Sequence, residues 1–220
     1  MAVEILFDNR YFVAVDKPAG WLTVPGRSGD TDLRPILGRV LEAEIKARLF
    51  PVHRLDAEVS GLVLFAKDAE AHKAANRWFE RGTVAKVYEA LTDGDPAGLT
   101  AGAPVVWRSR LLRGKKRAYD SPHGKLAVTR ATFLGVESGA LVWTLEPQTG
   151  RPHQLRWHLA QRGYPILGDT LYGSRLKLAT GGIALRAVSI DLTDCLDRAA
   201  FALPDRLRAQ QRCRNGAPVL

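Results

Sequence analysis

The residues best suited to chemistry lie between positions 53 and 65, where a short charged stretch precedes an apolar run. Arg54 supplies a cation and Asp56 a carboxylate, and the Ser60-Gly61 pair after them predicts a turn. Residues 62–65 have the branched and aromatic composition of a short buried strand. Charged groups on a connection anchored by a strand are typical of catalytic sites. The alternative is that Arg54 and Asp56 form an ordinary surface ion pair, which contributes little to stability. The stretch alone favours neither interpretation.

Several familiar catalytic motifs are absent from the sequence. It contains neither the Gly-x-x-x-x-Gly-Lys-Ser/Thr loop that holds nucleotide phosphates nor the Gly-x-Gly-x-x-Gly fingerprint of dinucleotide-binding proteins. His153 and His158 are five residues apart and lack the glutamate pattern of metalloproteases, so we expect hydrogen-bonding helix residues and no metal site. Ser60 lacks the Gly-x-Ser-x-Gly elbow of serine hydrolases.

The strongest concentration of charge lies between residues 108 and 130. This segment carries eight cations and a single acid, Asp120; the cations are Arg108, Arg110, Arg113, Lys115, Lys116, Arg117, Lys125 and Arg130. Its glycines and proline predict a flexible loop, and Trp107 and Tyr119 beside it could stack on bases. One-sided charge repels itself unless an anion neutralises it, which favours binding to a phosphate backbone over the alternative of a solvated hairpin.

The hydrophobic patterns predict short strands that alternate with helices. We predict strands at residues 4–7, 11–15, 62–65, 83–91, 129–135, 140–146 and 183–192. We predict three helices. The first starts at residue 32, with Pro35 in its first turn and apolar positions through Leu49. The second runs from Asp68 to Arg81 with Gly82 as its stop, and the third runs from about residue 150 to residue 161.

Composition restricts the class of protein and suggests a partner. The chain has 220 residues, of which 46% are hydrophobic and 25% charged, as in an ordinary globular protein. The 32 Lys and Arg residues against 23 Asp and Glu give a net charge of +9, which suggests a polyanionic partner. The two cysteines are too few for a disulfide framework, and no signal peptide or membrane-spanning run is present, so we predict a cytoplasmic protein.

Several motifs taken together resemble those of RNA pseudouridine synthases, within the RluA-like family that acts on uridines of ribosomal and transfer RNA. They are His53-Arg54-Leu55-Asp56 with Ser60-Gly61-Leu62, Lys86-Val87-Tyr88-Glu89-Ala90, Gly150-Arg151-Pro152-His153-Gln154-Leu155-Arg156 with His158, Asp16-Lys17-Pro18-Ala19-Gly20, and Gly168-Asp169 with Tyr172-Gly173. The motifs follow one another in the order of that family and span roughly residues 4–192.

The chemistry of such an enzyme agrees with the residues present. Making pseudouridine requires breaking the N1–C1′ bond of uridine, turning the base and rejoining it through C5, without a metal or a redox cofactor. An ionised carboxylate must attack or stabilise C1′, and Asp56 is the candidate. The resemblance implies that Arg156 keeps this carboxylate ionised and that Tyr88 accepts a proton and stacks on uracil. A structural, half-buried strand residue is the common alternative for Tyr88.

The resemblance also implies how RNA is held. A uridine in folded RNA must leave its stack before a carboxylate can reach C1′. Arg54 would fill the vacated space and Leu155 would form an apolar wall for the flipped base. The remaining RNA-binding candidates are cations and one histidine, namely His53, Lys86, Arg151, Lys115, Lys116 and Arg117.

The fold implied by the resemblance is α+β, with a mixed, mostly antiparallel β-sheet flanked by helices and a central catalytic cleft, the pseudouridine synthase fold. We expect a single catalytic domain over residues 1–220 with a basic tail at 204–220. The Asp-Lys-Pro motif begins at residue 16, so we expect no separate S4-like RNA-binding module. The expected partner is ribosomal or transfer RNA or both, with no membrane and no small-molecule cofactor, and the expected oligomeric state is a monomer.

Three positions depart from the family pattern, and one alternative function remains. Val59 stands where the family usually has Thr, Pro152 where Thr or Ser is common, and Arg186 where His is frequent. These departures remove no chemically required group but could alter loop packing or the RNA contact. The alternative is a catalytically silent RNA-binding or RNA-folding protein, against which the intact Asp56, Tyr88 and Arg156 argue.

Overall fold

A computed structural model describes residues 3–26, 32–176, 178 and 182–213. The chain divides into two compact units. The first comprises the chain through Ala85 together with Ala187–Gln211, and the second comprises Lys86–Arg186 together with the chain from Arg212. Of the predicted basic tail, residues 214–220 lie outside the described part. No helix in the described ranges is long and apolar enough to cross a membrane.

The described residues form eleven strands and three α-helices. The strands are β1 (Glu4–Asp8), β2 (Phe12–Lys17), β3 (Phe50–Pro51), β4 (Ser60–Ala66), β5 (Ala85–Thr92), β6 (Pro104–Arg113), β7 (Ala118–Asp120), β8 (Lys125–Glu137), β9 (Ala140–Pro147), β10 (Leu185–Asp191) and β11 (Arg206–Arg208). The helices are α1 (Leu37–Ile45), α2 (Ala69–Arg81) and α3 (Gln154–Ala160). The predicted α+β class with a mixed, mostly antiparallel sheet is confirmed.

In the first unit the strand order is β1-β2-β4-β10, with β3 beside β4 and β11 beside β10. Strand β4 is apolar on both faces and buried from Gly61 onward, as expected for a strand covered on both sides. Helix α2 covers this sheet, and the ring of Trp78 stacks on that of Phe12 with centroids 6.0 Å apart. Strand β4 therefore gives the loop before it a rigid support.

The predicted boundaries of α2 are confirmed, because both of its ends carry capping residues. The Asp68 carboxylate accepts the backbone N–H of Ala71 at 2.8 Å, which satisfies one of the free amides of the first turn. Gly82 has a φ of 71° and its N–H bonds the carbonyl of Phe79, so the helix ends in the left-handed conformation that glycine adopts readily.

The predicted start of the first helix is wrong. Helix α1 begins at Leu37, five residues after the predicted start at residue 32, and it ends before Leu49. The residues before it run alongside Leu22, whose N–H bonds the carbonyl of Pro35 and whose carbonyl accepts the N–H of Leu37. These pairings require an extended backbone, so Pro35 precedes the helix and does not form its first turn.

In the second unit the strand order is β5-β9-β8-β6-β7. The predicted antiparallel pair around Ser138-Gly139 is confirmed as the β8–β9 hairpin. Both turn residues have positive φ, 50° for Ser138 and 81° for Gly139, as a two-residue hairpin turn requires. Trp143 of β9 is fully buried and its indole N–H bonds Thr92 Oγ1 at 2.9 Å. The long hairpin thus has a packed inner face.

Helix α3 is shorter than the predicted helix of residues 150–161. It starts at Gln154 because His153 has a φ of 54°, a left-handed conformation that cannot continue a helix toward the N-terminus. Pro152 therefore lies before the helix instead of within it. Six of its seven residues are buried, from Gln154 to Leu159.

Candidate functional site

Asp56 lies on a loop between β3 and β4 whose backbone is held on both sides of the carboxylate. Thr23 exchanges hydrogen bonds with the backbone of Leu55, at 3.2 Å to the N–H and 3.1 Å to the carbonyl. The carbonyl of Ala57 accepts the N–H of Gly20 at 2.8 Å. Leu55 and Ala57 are buried while Asp56 between them is half-buried. This alternation anchors the loop and directs one carboxylate out of the apolar surroundings, which is the support a reactive group needs.

Lys17 is a second support of the same loop, and it is completely buried. Its ammonium group donates to the carbonyls of Pro18, Trp21 and Ala57 at 2.9, 2.8 and 3.0 Å. Burial lowers the pKa of Lys17 from 10.5 to about 8, although nearby Glu58 and Asp56 oppose that shift. A charged ammonium with three N–H donors matches the three carbonyls, so Lys17 fixes the backbone next to Asp56.

The turn that precedes β4 differs from the predicted one. Ser60 and Gly61 are the first residues of β4, and the turn lies one step earlier, where the N–H of Val59 bonds the carbonyl of Asp56 at 3.1 Å. Gly61 has a φ of 109°, and a Cβ there would lie 2.2 Å from the carbonyl oxygen of Ala187. Only glycine permits this close approach of the two chains.

His53 and Arg54 begin the loop. The Nε2 atom of His53 accepts the N–H of Leu64 at 3.1 Å, so the ring carries its proton on Nδ1. The same ring stacks on Phe79 with centroids 5.3 Å apart, whereas Arg54 is exposed. His53 therefore ties the loop to β4 and α2, and the RNA-binding roles of both residues stay predictions.

In the second unit, β5 carries the other candidates of the Lys86-to-Ala90 motif. Tyr88 is half-buried and pairs with Leu145 of β9. Burial lowers the pKa of Lys86 from its usual 10.5. Glu89, next to Tyr88, is almost fully buried and is compensated by an ion pair with Arg212 and by the N–H of Cys213 at 3.1 Å. These contacts fix the strand on which Tyr88 stands.

Arg156 projects from α3 into a buried ion pair. Its Nε and Nη2 donate to the two carboxylate oxygens of Asp169 at 2.7 and 2.8 Å, and both side chains are at least 97% buried. The ring of Tyr172 lies against the guanidinium, 5.2 Å from its centroid to Cζ. One edge and one face of the guanidinium are thereby committed to these contacts, and the predicted action of Arg156 on Asp56 stays a prediction.

The start of α3 is anchored to β8 by Gln154, whose amide is fully used. Its Nε2 donates to the carbonyl of Val128 and to Thr129 Oγ1, both at 2.9 Å. Its Oε1 accepts the N–H of Arg151 at 3.1 Å and the hydroxyl of Thr149 at 2.7 Å. This anchor holds the turn that presents Arg151, a predicted RNA contact, and precedes Leu155, the predicted apolar wall.

The predicted flexible loop at residues 108–130 is wrong, because strands β6 and β7 and the beginning of β8 occupy most of it. We call residues 104–130 the basic arm. Strand β6 pairs with β8 from Pro104 to Leu111 and with β7 from Leu111 to Arg113. The arm is thus an ordered hairpin whose charges are displayed by a sheet, and its binding to a phosphate backbone stays a prediction.

All eight cations of the basic arm are exposed, whereas its Trp107, Leu111 and Ala127 are buried. Lys115, Lys116 and Arg117 lie in the β6–β7 turn, which closes with the N–H of Gly114 on the carbonyl of Arg117 at 3.0 Å. Tyr119 is 45% exposed, as a stacking residue must be. Trp107 is 7% exposed and packs on Trp143, so its predicted stacking on bases is wrong.

Sequence reasoning did not assign roles to three side chains that organise these sites: Lys17, Gln154 and Asp169. Each lies within a motif that carried the resemblance, so the motif was the available signal. What the pattern could not provide is the partner of each group. The predicted hydrogen bonds of His153 and His158 are confirmed by contacts with Tyr172 Oη and with Thr129 Oγ1, although His153 precedes α3 and only His158 is a helix residue.

Comparison with known proteins identifies the family. The protein-family model described as RNA pseudouridylate synthase matches residues 11–161, a span that includes Asp56, Tyr88 and Arg156. The chain belongs to this family. Pseudouridine synthases among the curated proteins confirm the RluA-like branch. The chain is 36% identical to tRNA pseudouridine synthase C of Salmonella typhi, over 78% of this chain and 70% of that protein.

Two further relatives in the pseudouridine synthase family show the same branch. The chain is 33% identical to ribosomal large subunit pseudouridine synthase D of Pseudomonas aeruginosa, over 80% of this chain and 55% of that protein. It is 31% identical to the dual-specificity RNA pseudouridine synthase RluA of Vibrio cholerae, over 77% of this chain and 68% of that protein. The chain thus spans little more than half the length of some curated relatives that it matches.

Solved structures of pseudouridine synthase domains confirm the fold. Human RNA pseudouridylate synthase domain containing 4 superimposes with a TM-score of 0.69 at 24% identity, covering 94% of this chain and 88% of that one. Human RNA pseudouridylate synthase domain containing 1 gives a TM-score of 0.68 at 24% identity, covering 86% and 78%.

The three departures from the family pattern have different surroundings. Val59 is 3% exposed and closes the turn after Asp56, so an apolar side chain fits there. Pro152 is exposed before α3, and Arg186 is buried in β10. The first two leave the backbone supports of the Asp56 loop and of α3 in place.

Proposed function

We propose that this protein isomerises uridine to pseudouridine in structured RNA, with Asp56 as the catalytic carboxylate. Membership in the family supports the reaction class. The observation that carries the proposal is the half-buried Asp56 on a loop tied down at Leu55 and Ala57, with Lys17 bound to the same backbone. A carboxylate on so constrained a backbone loses little freedom when it meets a substrate.

The proposed reaction is balanced without a cofactor. The carboxylate of Asp56 attacks or stabilises C1′ while the N1–C1′ bond breaks, and the bonding electrons remain on the detached uracil. The base turns and C5 bonds to C1′ as the bond or contact between Asp56 and C1′ is released, so that the carboxylate is regenerated. Tyr88 accepts the hydrogen of C5 as a proton, and the anionic N1 takes up a proton from water. The role of Arg156 is to favour the ionised form of the catalytic carboxylate. Tyr88 and Arg156 receive these roles from the family motif.

The proposed substrate is ribosomal RNA, transfer RNA or both, held through its phosphates. The exposed cations Lys115, Lys116 and Arg117 at the turn of the basic arm support this proposal. Phosphate contacts there offset the few kcal/mol that extruding a uridine costs. Arg54, exposed at the start of the Asp56 loop, fills the space left by the base, and Leu155 lines its new position.

We further propose that the protein acts as a monomer in the cytoplasm. The names of its relatives, which refer to transfer RNA and to the large ribosomal subunit, support this location. Light scattering after gel filtration measures the mass in solution, and a mass of one chain, 24.2 kDa, is expected. Cell fractionation tests the location, and recovery with membranes would contradict it.

Tritium release tests the reaction directly, because rejoining through C5 must expel the hydrogen on that carbon. Cellular RNA labelled at uridine C5 is incubated with the wild type and with Asp56→Asn. We expect release by the wild type and none above background by the variant. Glu58→Gln, which removes a carboxylate two residues away on the same loop, is the matched control and should retain release.

Two outcomes would contradict the proposal. Release by Asp56→Asn equal to that of the wild type would remove Asp56 from the mechanism. Absence of release from every cellular RNA, with RNA binding intact, would instead support the silent RNA-binding protein.

Mapping pseudouridines in total RNA with and without the gene then identifies the uridine.

A further inference from the structure

Tyr172 stands where three groups of the second unit meet. It ends a short 3-10 helix, Thr170–Tyr172, that begins directly after Asp169. Its ring lies against the Arg156 guanidinium, which Asp169 also binds. Its hydroxyl accepts the N–H of Ala118 at 2.7 Å and lies 3.0 Å from His153 Nδ1. One side chain therefore contacts both the proposed catalytic cation and the basic arm.

Ala118 directly adjoins the turn that is proposed to bind RNA. Ala118 begins β7 and follows Arg117 directly, so its amide is one residue from the cations at residues 115–117. Ala118 is 2% exposed, which means that water does not replace a lost partner easily. The half-buried phenol thus attaches an otherwise exposed turn to the second unit.

The ring and the hydroxyl of Tyr172 have separable tasks. The ring packs beside the small cluster of Leu111, Ala127 and Trp157 and supports the guanidinium of Arg156 from one face, while Asp169 holds its edge. The hydroxyl, with one proton and two lone pairs, can bond Ala118 and His153 together. Removing the hydroxyl leaves the ring in place.

We propose that Tyr172 is a positioning residue that fixes the turn of the basic arm relative to Arg156. This inference rests on the proposed function, since it assumes that the turn binds RNA phosphates and that Arg156 acts in catalysis. RNA bound at residues 115–117 is then held in a fixed position relative to Arg156. The hydroxyl serves RNA binding, and the ring serves the rate of the chemical step.

Two substitutions separate the tasks. In tritium-release assays, Tyr172→Phe should raise KM for RNA about three- to tenfold, the value of one hydrogen bond, and should change kcat less than about twofold. Tyr172→Leu should raise KM similarly and also lower kcat at least about tenfold. Tyr164→Phe, a tyrosine of the same unit whose ring packs on Trp143, is the matched control and should change neither constant.

A second measurement needs no RNA and so separates this proposal from the proposed function. Hydrogen–deuterium exchange at the Ala118 amide should become about tenfold faster in Tyr172→Phe, because the amide loses its acceptor. Unchanged exchange at Ala118, or a fall in kcat in Tyr172→Phe as large as that in Tyr172→Leu, would overturn the inference. Faster exchange with no tritium release from the wild type would overturn the proposed function alone.

Discussion

The buried ammonium of Lys17 is matched to its site by the number of its protons. Three carbonyls converge on it, and only the charged form has three N–H groups to offer. The neutral amine would leave one carbonyl without a donor, next to Asp56. Burial nevertheless lowers its pKa to about 8, so the site loses its proton in mildly alkaline solution. The backbone beside the carboxylate is therefore sensitive to pH.

The free energy of unfolding should reveal this ionisation. Between pH 8 and 10.5 the unfolded chain keeps the Lys17 proton that the folded chain has released. The unfolded state then binds more protons, so the contribution of Lys17 to the free energy of unfolding rises with pH, by at most about 1.4 kcal/mol per pH unit. Denaturant titrations should show that Lys17→Met abolishes this rise, whereas Lys73→Met, an exposed residue of α2, retains it. A rise that persists in Lys17→Met would assign it to another group.

At the scale of single residues, the sequence predicts which side chains are candidates for catalysis, but it does not predict the hydrogen-bond partners that position them. Asp56 and Arg156 stand out because their types and motifs are distinctive. The bidentate partner Asp169 and the carbonyl partners of Lys17 follow from long-range folding, with 13 residues separating Arg156 from Asp169 and 40 separating Lys17 from Ala57. Local spacing does not encode such contacts, so side-chain type alone leaves them open.

Among the helices and strands, the sequence predicts the boundaries that are marked by local capping residues. It does not predict those that depend on pairing with distant residues. Helix α2 has its N-cap at Asp68 and its stop at Gly82 within the sequence itself. The start of α1 depends on Leu22, a residue 15 positions before Leu37, and so was placed too early. Strand β6 was missed because its outward positions carry arginines and its glycine-containing turns resemble a loop.

The basic arm should carry much of the salt dependence of RNA binding. Replacing Lys115, Lys116 and Arg117 by Gln removes three exposed cations from one turn. The slope of log affinity against log salt is negative, and each lost phosphate contact should reduce its magnitude by about 0.7 to 0.9, so a total reduction of about 2 to 3 is expected. Filter binding at several salt concentrations measures this slope.

A charge-matched control distinguishes local contacts from overall charge. Replacing Lys46, Lys73 and Arg81 by Gln also removes three exposed cations from the chain. If the arm makes the phosphate contacts, this control should keep nearly the wild-type slope. Equal decreases in both triple variants would show that net charge, and not the β6–β7 turn, attracts the RNA.

At the scale of the whole molecule, polar groups buried in the second unit connect its helix to its sheet. His158 of α3 is fully buried, with Nδ1 2.9 Å from Thr129 Oγ1 and Nε2 3.2 Å from Ser109 Oγ. Burial is the main cause that lowers its pKa from 6.5 to about 4, and the Arg162 cation adds to this effect. The folded protein therefore keeps this imidazole neutral where an unfolded chain would protonate it.

Acid should consequently destabilise the fold through His158. As the pH falls from 6.5 to about 4, the unfolded state takes up a proton that the folded state resists, so the free energy of unfolding decreases. Denaturant titrations across this window should give a weaker pH dependence for His158→Gln than for the wild type, whereas His123→Gln, on the exposed side of the basic arm, should match the wild type. Because carboxylates titrate alike in all three proteins, the difference between variants isolates the histidine. Identical pH dependence in His158→Gln and the wild type would mean that the buried imidazole is protonated without disrupting the contacts between α3, β6 and β8.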